Sequence, residues 1–314
     1  MDPAQRVRLG QTDLHVTRLG LGLGPIGGLY SPVSDAEATA TLDRAWDHGL
    51  RFFDTAPLYG YGSSERRAGA ALSARPRADF VLSTKVGRLL VSGGDDTQDV
   101  WADLPAGVAP RFDFSYGGVM RSFEESRARL GFERIDVLHI HDPDHHFDEA
   151  LSGALKALAE LRAAGVIGAI GAGMNQAEML TAFAKHGGFD CFILAGRYTL
   201  LDQSGLIELL PLCAKQRIGV IAAGVYQSGL LADPKPGATD NYHPVSQERL
   251  DRALALREVC ESHGVPLRAA AIQFPFTHPA VTSVIVGVRT PEEVDDAVAM
   301  FSHPVPPSLW PELL

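Results

Sequence analysis

Short apolar runs alternate with longer amphipathic ones along almost the whole chain, and this rhythm limits the folds open to it. LGLGL at 19–23 reads as a first buried strand. It is followed by RFFD (51–54), FVLSTK (80–85), IDVLHIH (135–141), AIGAG (169–173), FDCFILAG (189–196), IGVIAAG (218–224) and VTSVIVG (281–287). Runs this short and continuously apolar suit strands buried on both faces. Between them lie helical patterns with start and stop signals. Ser34 or Asp35 opens a helix that Gly49 ends, and ALSGALKALAELRAA runs to Gly165. SGLIELLPLCAKQ reads as a helix despite Pro211, and PEEVDDAVAMF as a closing one. Strand–helix alternation implies parallel pairing through crossovers. Eight repeats over 314 residues fit a closed (β/α)8 TIM barrel, with no composition shift to divide residues 1–314 into separate domains.

Two segments stand outside the repeat. RVRL and LHVT, separated by GQTD, read as an N-terminal β-hairpin. Residues 87–117 form a long loop after strand three. In a parallel barrel that loop lies over the C-terminal mouth, where active sites gather.

Composition removes several classes of function. The net charge is −10 with no basic run, so a nucleic-acid partner is not expected. No stretch of about 18 apolar residues is present to span a membrane, and the N-terminus has no apolar leader. Cys191, Cys213 and Cys260 are widely spaced, which suits buried thiols better than a disulfide framework or zinc site. A cytoplasmic protein is expected. Nothing in the sequence speaks to its oligomeric state.

The polar residues at strand ends carry the chemistry. Asp54 closes strand two, Lys85 strand three and His141 strand four, and Tyr59 follows strand two by five residues. In parallel neighbours these groups converge on one face. A buried lysine tends to lose its proton and a buried aspartate to gain one, so pairing Asp54 with Lys85 keeps both charged. The ammonium then stabilises a tyrosinate at Tyr59, bringing the phenol towards a working range for proton transfer. Each residue alone also fits a structural role, as ion pair, surface phenol or core histidine. Two other readings compete. Gly22, Gly24 and Gly27 match GxGxxG, but Pro25 interrupts the turn and no helix opens after it, so a glycine-rich turn at the barrel mouth fits better than a Rossmann site. HIHDPDHH (139–146) offers metal-type side chains, although adjacent residues rarely all face one ion.

In order and spacing, FFDTAPLYG, STKVG, DVLHIHDPD, IGAGMNQ and VIVGVRTPEEV resemble the aldo-keto reductases over nearly the whole chain. The resemblance implies a barrel that binds a nicotinamide dinucleotide without a Rossmann domain. It also implies a catalytic tetrad of Asp54, Tyr59, Lys85 and His141. FDFSYGGVMRS, HIHDPD and GAGMN are similar to the branch containing D-threo-aldose (L-fucose) 1-dehydrogenases and pyridoxal 4-dehydrogenase. On that resemblance the substrate is an aldose oxidised at C1 to the lactone. The alternatives are pyridoxal, a general aldehyde or ketone substrate, or, outside catalysis, a nicotinamide-sensing regulatory subunit.

The implied cofactor contacts are Gly24, Asp54, Asn175, Gly224, Tyr226, Ser228, Gly287, Arg289 and Glu293. The family's serine before the asparagine is gone. Ala195 replaces a glutamine after strand six, and Ala223 stands where a tyrosine usually stacks on the nicotinamide. Gly287, Val288 and Glu293 occupy places that hold a 2′-phosphate in NADP-type members, which tilts the expectation to NAD, with NADP kept open by Arg289. Trp101, Phe112, Phe114 and Tyr116 of the long loop are expected to wall a substrate pocket with Tyr59 and His141, or in part only to pin the loop down.

Overall fold

A computed structural model of the chain describes residues 1–240 and 243–314. Eight parallel strands close into a barrel: β1 (Leu19–Gly22), β2 (Phe52–Asp54), β3 (Val81–Val86), β4 (Val137–His141), β5 (Ala169–Met174), β6 (Cys191–Ala195), β7 (Gly219–Ala223) and β8 (Val281–Gly287). Each pairs with its sequence neighbours, and β8 closes on β1 through Val284↔Leu19 to Gly287↔Gly22. The helices wrapped outside are α1 (Asp35–Asp47), α2 (Ser63–Leu72), α3 (Tyr116–Leu130), α4 (Lys156–Ala163), α5 (Ala177–His186), α6 (Leu209–Gln216), α7 (Gln247–Ser262), α8 (Leu267–Gln273) and α9 (Pro291–Ser302). None of the described helices is long and apolar enough to cross a membrane.

The local signals explain most boundaries. Ser34 caps α1 through a full capping box, with its hydroxyl accepting from the Glu37 amide and Glu37 accepting from the Ser34 amide. The helix expected through Pro211 is broken. A 3₁₀ turn at Ser204–Leu206 comes first, and α6 starts at Leu209, which puts Pro211 in the first turn, where a missing N–H costs little. The long helix expected before Gly165 is also interrupted: Ala150–Leu155 is a π-helical segment ahead of α4. Gly153 within it packs on the start of α3, where an added Cβ would lie 2.5 Å from the Phe114 carbonyl oxygen. The loop after β3 is not irregular throughout, since Arg88–Val91 and Ala109–Phe112 pair as an antiparallel ribbon.

The main core lies between barrel and helices, and a smaller cluster fills the barrel itself. In that inner cluster Phe52, Val81, Val137, Cys191, Ile193, Ile221 and Ile285 meet Leu9 and Val16 of the N-terminal hairpin (Arg6–Arg8 with His15–Thr17). Both hairpin residues are fully buried, so the hairpin stoppers the N-terminal end of the barrel. Two inward glycines make room for bulk opposite them. A Cβ on Gly20 would lie 2.7 Å from the Phe52 ring, and one on Gly171 would lie 2.1 Å from His139 Nδ1. The bottom is packed shut, which leaves the C-terminal mouth for chemistry.

Candidate active site

The ends of β2, β3 and β4 bring three of the singled-out residues together, and the turn after β2 brings the fourth. Lys85 Nζ donates to Asp54 Oδ2 at 2.6 Å and to the Thr55 carbonyl at 2.8 Å. The other Asp54 oxygen accepts from Ser83 Oγ at 2.7 Å. Asp54 and Lys85 are 1% and 2% exposed, so neither could stay charged alone. Burial pulls the Lys85 ammonium towards losing its proton, but Asp54 and Tyr59 beside it outweigh burial and hold it above the ordinary lysine value.

Tyr59 hydrogen-bonds the ammonium, which sits 4.6 Å from the centre of the phenol ring. The chain reaches this position by two tight turns after β2, in which the Tyr59 amide donates to the Ala56 carbonyl and the Gly62 amide to that of Pro57. The turns are pressed against the loop after β1. A Cβ on Gly60 would fall 2.0 Å from the Gly27 carbonyl oxygen, and one on Gly27 would fall 2.9 Å from the Tyr59 carbonyl carbon. The third glycine of the GxGxxG match therefore serves to seat Tyr59. The segment around it is a short 3₁₀ turn, Pro25–Gly27, with no phosphate-binding helix behind it.

His141 stands on the other side of Tyr59, the two rings edge-on with centroids 5.9 Å apart. Burial, then the charges of Arg88 and Lys85 and finally His139, push its pKa well below the ordinary histidine value. It is neutral at neutral pH and presents one ring N–H as a donor. His139 lies one step deeper, paired in register with Lys85, and burial and Lys85 keep it neutral as well. His146 turns away from the site and packs its ring against Phe112 and Phe114, with centroids 5.4 and 5.2 Å away. Among the described residues no group of three or more His, Cys, Asp or Glu could hold a metal ion.

The long loop contributes unevenly. Trp101 bridges to Leu29 through its backbone and lays its indole 5.7 Å from the Tyr59 ring, so it reaches the mouth. Phe114 is fully buried beneath Gly87 and touches no open space, which corrects its expected place in a substrate wall. Phe112 stacks on Phe114 and lies under the Arg88 guanidinium at 4.6 Å, and so pins the ribbon. Tyr116 faces solvent at the start of α3 and donates to Glu160.

Apart from Asp54, the expected cofactor contacts fall at or beyond the ends of β1 and of β5, β7 and β8. Asn175 follows β5 directly, and Gly24 opens the turn after β1. After β7 the backbone is left-handed at Gly224, Gln227, Ser228 and Gly229, and Gly224, Ser228 and Gly229 are exposed. Bends of this kind turn successive amides outward and suit a pyrophosphate. Tyr226 is half-buried, with its hydroxyl buried and unpaired and its pKa pushed up by burial. Ala195 and Ala223, at the ends of β6 and β7, are part-exposed and form a low, flat floor that a nicotinamide ring fits. Gly287 ends β8, and beyond it Glu293 accepts from the Arg289 amide at 2.8 Å while Arg289 Nη1 donates to Ser31 Oγ at 3.0 Å. Arg289 Nε lies 3.4 Å from Glu293, a partly exposed pair.

Sequence reasoning passed over Arg88 and weighed Asp142 only as one of the metal-type residues of 139–146; both lie in this site. Arg88 is 5% exposed and reaches Asp96 at 2.7 Å and Asp142 at 3.1 Å. The signal was an arginine two residues past an apolar strand, directly after a glycine.

Comparison with known proteins matches this arrangement. The model of the Aldo/keto reductase family fits residues 18–313. Pyridoxal 4-dehydrogenase of Microbacterium luteolum is 42% identical, over 99% of this chain and 96% of that protein. D-threo-aldose 1-dehydrogenase of a Pseudomonas species is also 42% identical, over 96% of this chain and 94% of its own. Among solved structures, the holo form of an aldo-keto reductase from Bacillus halodurans superposes with a TM-score of 0.80 at 25% identity, covering 98% of this chain and 95% of that one. The chain belongs to the aldo/keto reductase family.

Proposed function

We propose that this protein is an NAD-dependent oxidoreductase that oxidises an aldose such as L-fucose at C1 to the lactone. The observation that carries the proposal is the unbroken Asp54–Lys85–Tyr59 chain with neutral His141 on the far side of the phenol. A bound nicotinamide dinucleotide supplies the hydride acceptor. Asp54 and Ser83 hold the Lys85 ammonium in place, and the ammonium favours the Tyr59 phenolate. Tyr59 takes the proton from the C1 hydroxyl. His141 donates a hydrogen bond to the same oxygen and so stabilises the charge that builds there. In the reverse direction Tyr59 is the acid. Asn175 would hold the carboxamide, Gly24 and the 224–229 bend the pyrophosphate, and the Ala195–Ala223 floor the ring.

NAD is favoured over NADP by the first turn of α9. Glu292 and Glu293 stand there, where a 2′-phosphate would meet two carboxylates, and Arg289 is already held by Glu293 and Ser31. Pyridoxal is the second reading. It rests on the equal 42% identity to a pyridoxal 4-dehydrogenase and on the flat indole of Trp101 beside Tyr59, which suits a pyridine ring as well as a sugar face. A cytoplasmic setting fits three unpaired, buried thiols.

The test is a panel of L-fucose, D-arabinose, L-galactose and pyridoxal, each with NAD and NADP. Turnover of an aldose with NAD supports the proposal. A clear preference for pyridoxal replaces the sugar reading. Binding of the dinucleotide without turnover on any of them favours a regulatory role.

A further inference from the structure

Arg88 joins the substrate-covering loop to the catalytic histidine through a single carboxylate. Gly87, with φ +107°, turns the chain sharply at the end of β3, and a Cβ there would strike the Phe114 ring at 2.1 Å. The turn sends Arg88 back across the mouth, over Phe112. Its Nε takes Asp96 of the loop at 2.7 Å and its Nη1 takes Asp142 at 3.1 Å. Asp142 is the residue after His141. It sits in the left-handed region at φ +42°, which is strained for a side chain, and its amide donates to Gly173 on β5 at 3.1 Å. This bend puts Asp142 Oδ2 3.5 Å from His141 Nε2, while His141 Nδ1 is buried with no hydrogen-bond partner.

We propose that Arg88 is a positioning residue for His141, holding the Asp142 carboxylate beside the ring so that the proton of the neutral imidazole sits on Nε2. This rests on His141 as the donor to the reacting oxygen. A carboxylate facing Nε2 favours a proton there and disfavours a lone pair. Burial pushes the Asp142 carboxyl above its usual range, and Arg88 is the strongest of the groups that pull it back. Without Arg88 the carboxylate is no longer held beside Nε2 and stops steering the ring. The groups facing His141 are otherwise Lys85 from β3, His139 from β4 and Tyr59 from the turn after β2, and β5 presents only Gly173. Arg88 is also the largest charge acting to keep His141 neutral.

The experiment is ¹⁵N NMR of histidine-labelled protein with its dinucleotide, for wild type, Arg88→Met, Arg88→Lys, Asp142→Asn and Asp96→Asn, alongside pH profiles of kcat. In Arg88→Met the apparent His141 pKa rises, the Nε2–H signature is lost, and kcat falls about tenfold or more. Asp142→Asn loses the Nε2–H signature without the rise. Arg88→Lys recovers part of both, and Asp96→Asn keeps the His141 titration. An unchanged His141 titration and tautomer in folded Arg88→Met would overturn the proposal, as would Asp96→Asn alone reproducing the whole Arg88→Met effect. The NMR result stands even if no tested substrate turns over, so failure of the substrate assignment and failure of this one remain separate.

Discussion

The two arcs of the barrel mouth are built on opposite plans. On the β2–β4 side the charged groups are side chains already held: Asp54 by Lys85 and Ser83, Lys85 also by the Thr55 carbonyl, and Arg88 by two carboxylates. The groups are buried, and their charges are set by one another. On the β7–β8 side, where the proposed dinucleotide would lie, the feature is backbone shape: exposed left-handed bends at 224, 228 and 229, with small residues at 223 and 224. A reacting proton needs a pKa tuned by fixed neighbours before substrate arrives. A dinucleotide needs only shape and donors, which backbone supplies at no cost in buried charge. The first arc is thus built from paired side chains, and the second, on the proposed function, would be completed by its ligand.

Four experiments bear on that contrast. The largest effect belongs to Tyr59→Phe. It should lower kcat by a factor on the order of 10² to 10⁴ and leave dinucleotide binding unchanged, checked by steady-state kinetics and fluorescence titration. Near-normal turnover would remove the acid–base role from the first arc. Next is Lys85→Met, which leaves Asp54 as an unpaired buried carboxylate and should cost about 3–5 kcal/mol in urea unfolding. Adding Asp54→Asn should restore much of that stability without restoring turnover, and no recovery would mean the pair is not the source of the loss.

A smaller effect is expected on the second arc. Glu293→Gln removes one carboxylate from the first turn of α9 and loosens its hold on Arg289. Affinity for NADP should rise about tenfold, roughly 1.4 kcal/mol, with NAD little changed. Equal shifts for both cofactors would show that Glu293 does not discriminate. The last effect is a pH dependence. His139 and His141 have folded pKa values well below their ordinary one, so below about 6.5 the unfolded chain takes up protons that the fold refuses. Stability should fall as pH drops from about 7 to 5, by up to about 1.4 kcal/mol per pH unit for each histidine, and His139→Leu should flatten the slope in urea titrations.

The contrast also explains what could be read in advance. Short apolar runs alternating with amphipathic ones announced the barrel, because strands buried on both faces favour apolar residues. Asp54, Lys85 and His141 stood out for the converse reason: charge at the end of an apolar strand. Phe114 misled, because a loop aromatic looks the same in sequence whether it lines a pocket or fills a core, and only Gly87 beneath it decides. The break before Pro211 and the π segment at Ala150–Leu155 arise from contacts with neighbouring elements, which local propensity does not register. The cofactor bends were visible only through family resemblance, since their information is in φ angles and most residues there have little side chain. Arg88 was missed because its meaning depends on Asp96 and Asp142, which are 8 and 54 residues away.

The hairpin that stoppers the barrel has a consequence for the order of events. With Leu9 and Val16 closing one end, the dinucleotide and the small substrate of the proposed reaction would share one doorway, the C-terminal mouth, so that whichever sits deeper would enter first and leave last.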